Sequence, residues 1–482
     1  MKQNRRDFLK ATALGMSTLL IPGCFETAKK LPAKKPNIVF VFGDQWRAQA
    51  TDYAGDPNLK GKTPNLNKLA AQSVNLTNAV STCPVCTPYR GSLLTGQYSI
   101  THGIFLNDTP LRNEATTIAE VCKSGGYNTG YVGKWHINAG GRATYIPKDR
   151  RQGFDYWKVL ECTHNYNNSP YYEGDDPTKK FWDGYDAIAQ TRDVQQYIET
   201  HANDDKPFLM MLSWGPPHNP YQTAPEKYRK MFKAEDVILR PNVPAKRANK
   251  AKEELAGYYA HIAALDDCMG DLVETIERAG IADNTILVFT SDHGDMLHSQ
   301  GHARKQKPWD ESVRVPFLVS YPDRLGKDGK EIDMPIGTPD IMPTLLGLSG
   351  LPIPKGVEGT DYSTVLDGTK KAPDDVALIE CIWPFGEWLR KHGGKENRGI
   401  RTKRYTYVRD LEGPWLLYDN QNDPYQMQNL IISDDNKELQ ADLDKKLFAK
   451  LSIHGDKFEH GSVHIKKWNY KPYRNGTMPY KN

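Results

Sequence analysis

The sequence is short of cysteine and of net charge, and both shortages narrow what the chain can be. Its seven cysteines in 482 residues, Cys24, Cys83, Cys86, Cys122, Cys162, Cys268 and Cys381, are too few and too scattered for a disulfide scaffold, and the sequence assigns no pairing among them. Cys83 and Cys86 form a C-x-x-C pair, but no second such pair exists to complete a thiolate-rich zinc cage. A formal net charge of +4, with acidic and basic residues interspersed, argues against a general nucleic-acid binder. The apolar stretch Ala11 to Ile21 is too short for an ordinary membrane span. The length exceeds that of a usual single domain, so a large core with a smaller appended domain is expected.

What is present repeats one local grammar. Asn37 to Phe42 is a continuous apolar run of β-branched and aromatic residues that ends abruptly in Gly43-Asp44-Gln45, the pattern of a strand buried on both faces. The run Tyr127 to Gly133 precedes Lys134-Trp135-His136, Phe208 to Ser213 precedes His218, and Thr285 to Thr290 precedes Asp292-His293. Helical patterns near 115–124, 185–202 and 249–279 lie between these runs. Alternation of this kind predicts an α/β fold with a mostly parallel central sheet flanked by helices, whose ligands sit beyond the carboxyl ends of the strands. Asp44, Gln45, Asp292 and His293 offer three oxygen donors and an imidazole at two such ends, a hard set that suits calcium.

The stretch Cys83-Pro-Val-Cys86-Thr-Pro-Tyr-Arg90-Gly-Ser-Leu-Leu-Thr-Gly96 reads as a reactive side chain at a helix N-terminus. Unpaired backbone N–H groups and the positive end of the helix dipole favour an anion there, Pro88 suits the first turn, and Arg90 lies one turn on. From Cys86 to Gly96 this stretch resembles the signature of the type I sulfatases, members of the alkaline-phosphatase-like superfamily, which convert that cysteine to formylglycine. Further positions resemble the family residue by residue. Gly133-Lys134-Trp135-His136 is similar to a segment that sets Lys134 against the sulfate and His136 beside the formylglycine hydroxyl. Pro217-His218-Asn219-Pro220 is similar to one whose histidine protonates the leaving oxygen, and Lys305 falls at the second sulfate-binding lysine, with Lys307 two residues away. The resemblance implies a metal site of Asp44, Gln45, Asp292 and His293, completed by Cys86 as formylglycine, and a maturation enzyme to install that group. It departs from the commoner sulfatase pairs Asp-Asp and Asp-Asn. The Asp-Gln and Asp-His pairs found here also occur in related phosphonate and phosphate ester hydrolases.

Residues 1–35 read as an export signal and linker. Asn4-Arg5-Arg6-Asp7-Phe8-Leu9-Lys10 resembles the twin-arginine signal, and Leu20-Ile21-Pro22-Gly23-Cys24 is similar to a lipoprotein processing site with Cys24 acylated. These features imply a protein of the periplasm or cell surface, with membrane attachment only through a lipid anchor, or a plain soluble periplasmic protein. Residues 36–375 form the expected catalytic domain and 376–482 a small C-terminal α+β subdomain, with short strands near 376, 398 and 405 and a helix near 435–452. Residues 142–184 lack clear periodicity and are read as a binding loop, in which Arg142, Arg151 and Tyr172 are candidates to meet a charged sugar. Trp383 and Trp388 are candidate sugar-stacking aromatics, or part of a hydrophobic seam. His102, His298 and His302 are read first as solvated surface residues. The function expected is an exported sulfatase acting on a sulfated oligo- or polysaccharide. The alternatives are a phosphonate or phosphate ester hydrolase with the same nucleophile, and a surface glycan-binding lipoprotein.

Overall fold

In the computed structural model, which describes residues 34–373 and 375–480, the apolar run at Asn37–Asp44 is a strand buried along its whole length. Arg5, Arg6 and Cys24 lie outside the described residues. The strands, in chain order, are β1 (Asn37–Asp44), β2 (Val74–Leu76), β3 (Ala79–Val80), β4 (Asn128–Lys134), β5 (Tyr156–Leu160), β6 (Pro170–Glu173), β7 (Asp176–Phe181), β8 (Phe208–Pro217), β9 (Thr285–Ser291), β10 (Phe317–Ser320), β11 (Lys330–Ile332), β12 (Ile336–Gly337), β13 (Ala377–Cys381), β14 (Asn397–Arg401), β15 (Tyr405–Asp410) and β16 (Gly413–Asp419). One sheet of ten strands runs in the order β11-β2-β10-β9-β1-β8-β4-β5-β6-β7. Its middle, from β9 to β5, is parallel throughout, while β10 and the β6-β7 hairpin add antiparallel edges.

Alternate residues of β1 feed two cores. Ile38, Phe40 and Phe42 pack with Tyr89, Leu93 and Leu94 of the helix Cys86–Thr95 on one face. Val39 and Val41 pack with the helices Asp186–His201 and Ala248–Arg278 on the other. These helices match the sequence patterns because their apolar residues recur at helical spacing and must be buried against a sheet that is apolar on both faces. The third expected helix begins at Ile118, where Thr117 and Glu120 form a reciprocal capping box. At the end of β4, Gly133 has φ +104°, and a Cβ there would stand 2.1 Å from the Ser213 carbonyl oxygen. Only glycine lets β4 and β8 approach so closely.

The second sheet, β13-β14-β15-β16, is antiparallel and starts at Ala377, next to the expected boundary. The described residues nonetheless form one compact unit. Leu378, Ile400 and Tyr407 share a core with Val85 and Tyr98, which flank the Cys86–Thr95 helix, so the small sheet helps to seat that helix.

The structure corrects several expectations. Residues 142–184 are not an irregular loop: β5 extends the parallel sheet and β6-β7 closes its edge. Arg151 is buried, donating to the Gly174 carbonyl at 2.6 Å and the Tyr145 hydroxyl at 2.9 Å, and it pairs with Asp175. Tyr172 is buried and donates to the Ala143 carbonyl. Both side chains tie this segment together and present nothing to a sugar. Trp388 is buried against Trp309 and His302, the hydrophobic-seam alternative, while Trp383 is half-buried beneath the guanidinium of Arg390. His102 and His298 are also buried: His102 bonds Ser92 and the Ile104 amide, and His298 pairs with Glu254. His302 is partly covered by its stack on Trp309. His102 and His298 thus find their polar partners within the protein, so their burial requires no ligand.

Candidate active site

The carboxyl ends of four neighbouring strands, β9, β1, β8 and β4, deliver the site. Asp44 ends β1, Lys134 ends β4, His218 follows β8, and Asp292 and His293 follow β9. Cys86 is the first residue of its helix, preceded by the extended Val85, so its side chain sits at the positive end of the helix dipole. Its Sγ lies 3.1 Å from Lys305 Nζ, 3.3 Å from His293 Nε2 and 3.5 Å from Asp44 Oδ1. Lys307 turns away, donating to the Ala303 carbonyl with its ammonium over Trp388, so Lys305 is the lysine of the site.

Arg90 is buried and fixed from two sides. Nη1 donates to the Lys134 carbonyl at 2.6 Å and the Ser213 hydroxyl at 2.8 Å, and Nη2 stands 3.3 Å from Asp292 Oδ2 and 3.6 Å from Asp44 Oδ2. Lys134 Nζ donates to Asp44 Oδ2. Burial and the Cys86 sulfur push the Asp44 carboxyl up, but Lys134, His218 and Lys305 outweigh them and hold it well below the usual range. Burial and the nearby Asp44 raise Asp292 to about 6. Burial raises the Cys86 thiol, yet Lys134, Lys305 and His293 draw it well down overall, so the position strongly favours negative charge.

Asp44, Cys86, Asp292 and His293 present ligand atoms that all lie within 4.8 Å of one another. His293 Nδ1 donates to the Gly294 carbonyl, which leaves the Nε2 lone pair directed at the cluster. Gln45 has φ +70°; its amide N donates to Asp292 Oδ1, and its side-chain Nε2 donates to Asp295 Oδ2 at 2.6 Å. Gln45 Oε1 is buried without a partner. Two buried carboxylates, a free imidazole nitrogen and an orphaned amide oxygen fit a hard divalent cation. Asp44, Asp292 and His293 are thus brought together with Cys86, and the Gln45 backbone is held against Asp292.

The two histidines occupy different sides. His218 Nδ1 donates to the Asn219 carbonyl at 2.8 Å, so its Nε2 accepts from Lys305 Nζ at 2.9 Å. Burial and Lys305 push the His218 pKa well down, leaving the shared proton on Lys305. His136, with φ +61°, pairs with Asp108 Oδ1 at 3.0 Å. Burial lowers His136, but Cys162 and Asp108 raise it to about 9. Arg142 reaches the rim: its Nη2 is 3.5 Å from Asp108 Oδ2, and the side chain is 39 % exposed. Asp108 and Asp295, which orient His136 and Gln45, carry no sequence signal. Asp108 lies in a turn and Asp295 in the irregular stretch after β9, and only the fold puts each behind a site residue.

Buried cations around an anionic nucleophile position, beside a divalent-cation cluster, define a hydrolase site for an anionic ester. The sulfatase family model matches residues 36–351, and the model described as N-sulphoglucosamine sulphohydrolase, C-terminal, matches residues 300–452. The chain belongs to the sulfatase family and is a sulfuric ester hydrolase. It is 48% identical to an ulvan-active sulfatase of Formosa agariphila over 441 residues, covering 90% of this chain and 85% of that protein. A solved Bacteroides thetaiotaomicron structure, connected with the metabolism of multiple glycosaminoglycans, superposes with TM-score 0.80 at 30% identity, over 91% of this chain and all of that one. The phosphonate monoester hydrolase of Agrobacterium radiobacter shares the fold, with TM-score 0.71 at 22% identity over 93% of this chain and all of that one.

Proposed function

We propose that the protein is an exported carbohydrate sulfatase, acting on a sulfated oligo- or polysaccharide through a formylglycine made from Cys86 and one calcium ion. The observation that carries this reading is the convergence of Arg90, Lys134 and Lys305 on the Cys86 position beside the Asp44–Asp292–His293 cluster. The similarity to a sulfatase active on ulvan supports a saccharide substrate. Asp44, Gln45, Asp292 and His293 would hold the cation.

When installed and hydrated, formylglycine supplies an oxygen nucleophile for sulfur, and the cation withdraws charge from the sulfate. The chain's own residues do the rest. Lys134, Lys305 and Arg90 neutralise charge in a space from which water is largely excluded, where such charges act strongly. As the bond from sulfur to the ester oxygen breaks, that oxygen takes a proton from the His218–Lys305 pair, which in the resting site carries it on Lys305 and hands it on through His218 Nε2. The free alcohol departs. His136, held by Asp108 on the other side of the site, in its unprotonated form accepts the proton released when sulfate is expelled.

The Asp-Gln and Asp-His pairs keep a phosphonate or phosphate ester hydrolase as the second reading. The test is direct: peptide mass spectrometry of the purified protein should find an aldehyde or its hydrate at position 86, and nitrophenyl sulfate should be turned over in preference to an aryl phosphonate. A preference for the phosphonate would favour the second reading. Full activity of protein carrying only unmodified cysteine, or of Cys86→Ala, would overturn the nucleophile assignment.

A further inference from the structure

We propose that His164 is a positioning residue for His218, holding the proton-donating imidazole in the plane from which it reaches the leaving oxygen. The proposal rests on the reading of His218 as part of the proton-donating pair.

The His164 ring lies flat on that of His218, with centroids 4.5 Å apart and planes 7° from parallel. His218 has one ring edge fixed by its own backbone neighbour, through Nδ1 to the Asn219 carbonyl, and the other facing Lys305 Nζ. Those two contacts lie in the ring plane. They leave tilting about the axis between them unopposed, and a parallel ring against the face supplies the missing restraint. His164 is itself held: it is half-buried, and its Nε2 lies 4.0 Å from the buried Cys162 Sγ.

A second contact from the same segment reaches the same residue. The Tyr166 hydroxyl, fully buried, donates to the His218 carbonyl at 2.9 Å and lies 3.2 Å from the Asn219 carbonyl. The segment is pinned at both ends, by the Cys162 amide on the Arg142 carbonyl at 2.9 Å and the Tyr166 carbonyl accepting from the Asp186 amide at 2.8 Å. Residues 162–166 therefore clamp His218 by ring and by backbone. None of these side chains belongs to the cation cluster or to the three cations placed around Cys86, so the clamp bears on the step that His218 performs.

Proton donation matters most for a strongly basic leaving alkoxide and little for a nitrophenolate. A small misplacement of the donor can cost up to about 100-fold. His164→Ala should thus lower kcat on a sugar or alkyl sulfate by about 10- to 100-fold while leaving nitrophenyl sulfate within about threefold. His164→Phe, which keeps a flat ring, should restore most of the sugar-sulfate rate. In a His218→Ala background, His164→Ala should add little further loss. His164→Gln removes the ring with less loss of volume and serves if the alanine variant fails to fold. Equal losses on both substrates, a phenylalanine variant as damaged as alanine, or full additivity with His218→Ala would overturn the proposal alone. A His218→Ala enzyme with no leaving-group dependence would overturn the donor reading and the proposal with it.

Discussion

Asp295→Asn tests the cation site through a residue that does not itself belong to it. Asp295 is fully buried, with Oδ1 accepting from the Leu297 and Arg304 amides at 3.0 and 2.9 Å, and Oδ2 accepting from Gln45 Nε2 and the Tyr221 hydroxyl. Asparagine keeps a carbonyl for the two backbone donors but turns an NH2 group toward the Gln45 NH2. Two donors cannot face each other, so the Gln45 amide should flip, exchanging its unpartnered Oε1 for an NH2 group. Loss of such a supporting contact typically weakens metal binding by about 10- to 100-fold. At calcium 100 times the wild-type Kd, binding stabilises the wild type by about 2.7 kcal/mol; with that weakening the increment falls to about 0.4–1.4 kcal/mol. The per-residue unfolding entropy of a protein this large makes that a shift of only about 2 °C. Isothermal titration calorimetry on the purified chain is therefore the decisive assay, with calcium-dependent unfolding in denaturant as a check that needs no turnover. Calcium affinity unchanged within twofold in Asp295→Asn would refute the argument that Gln45 Oε1 completes the site.

Chelation should abolish turnover and calcium should restore it; restoration by manganese or zinc but not by calcium would change the ion and keep the residues. Burial raises Asp186, the first residue of its helix, to about 7, partly opposed by the Ser169 hydroxyl and the Ala187 amide. A carboxyl whose folded pKa is raised loses stability as pH climbs from the unfolded value near 4 through about 7, and the full shift is worth about 4 kcal/mol. Asp186→Asn should then be more stable than wild type at pH 8 and nearly equal to it at pH 4 by urea unfolding, and a variant destabilised equally at both pH values would contradict this. Replacing Arg5 and Arg6 with lysine should strand precursor in the cytoplasm, as fractionation and immunoblotting would show; normal delivery would count against the twin-arginine route.

The sequence by itself determined what depends on neighbours along the chain. Each buried strand had to be an apolar run, and in a parallel sheet each polar residue at its exit had to reach the same edge, so Asp44, Lys134, His218 and Asp292 were legible before any coordinate. Cys86 was legible because a helix start is a local event. The tertiary structure alone decided which groups stand behind these. Gln45 finds Asp295 at a separation of 250 residues, and Arg90 finds Ser213 at 123. His164 meets His218 only because β5 and β8 flank β4. No spacing rule encodes such pairs, since they are set by strand order and not by distance along the chain. The same holds for burial: Arg151, Tyr172 and Trp388 carry the chemistry of a sugar site, yet packing closes over them. An exposed and a buried tryptophan or arginine are the same letter, and only the surrounding fold determines whether its functional groups are satisfied by protein or left for a ligand.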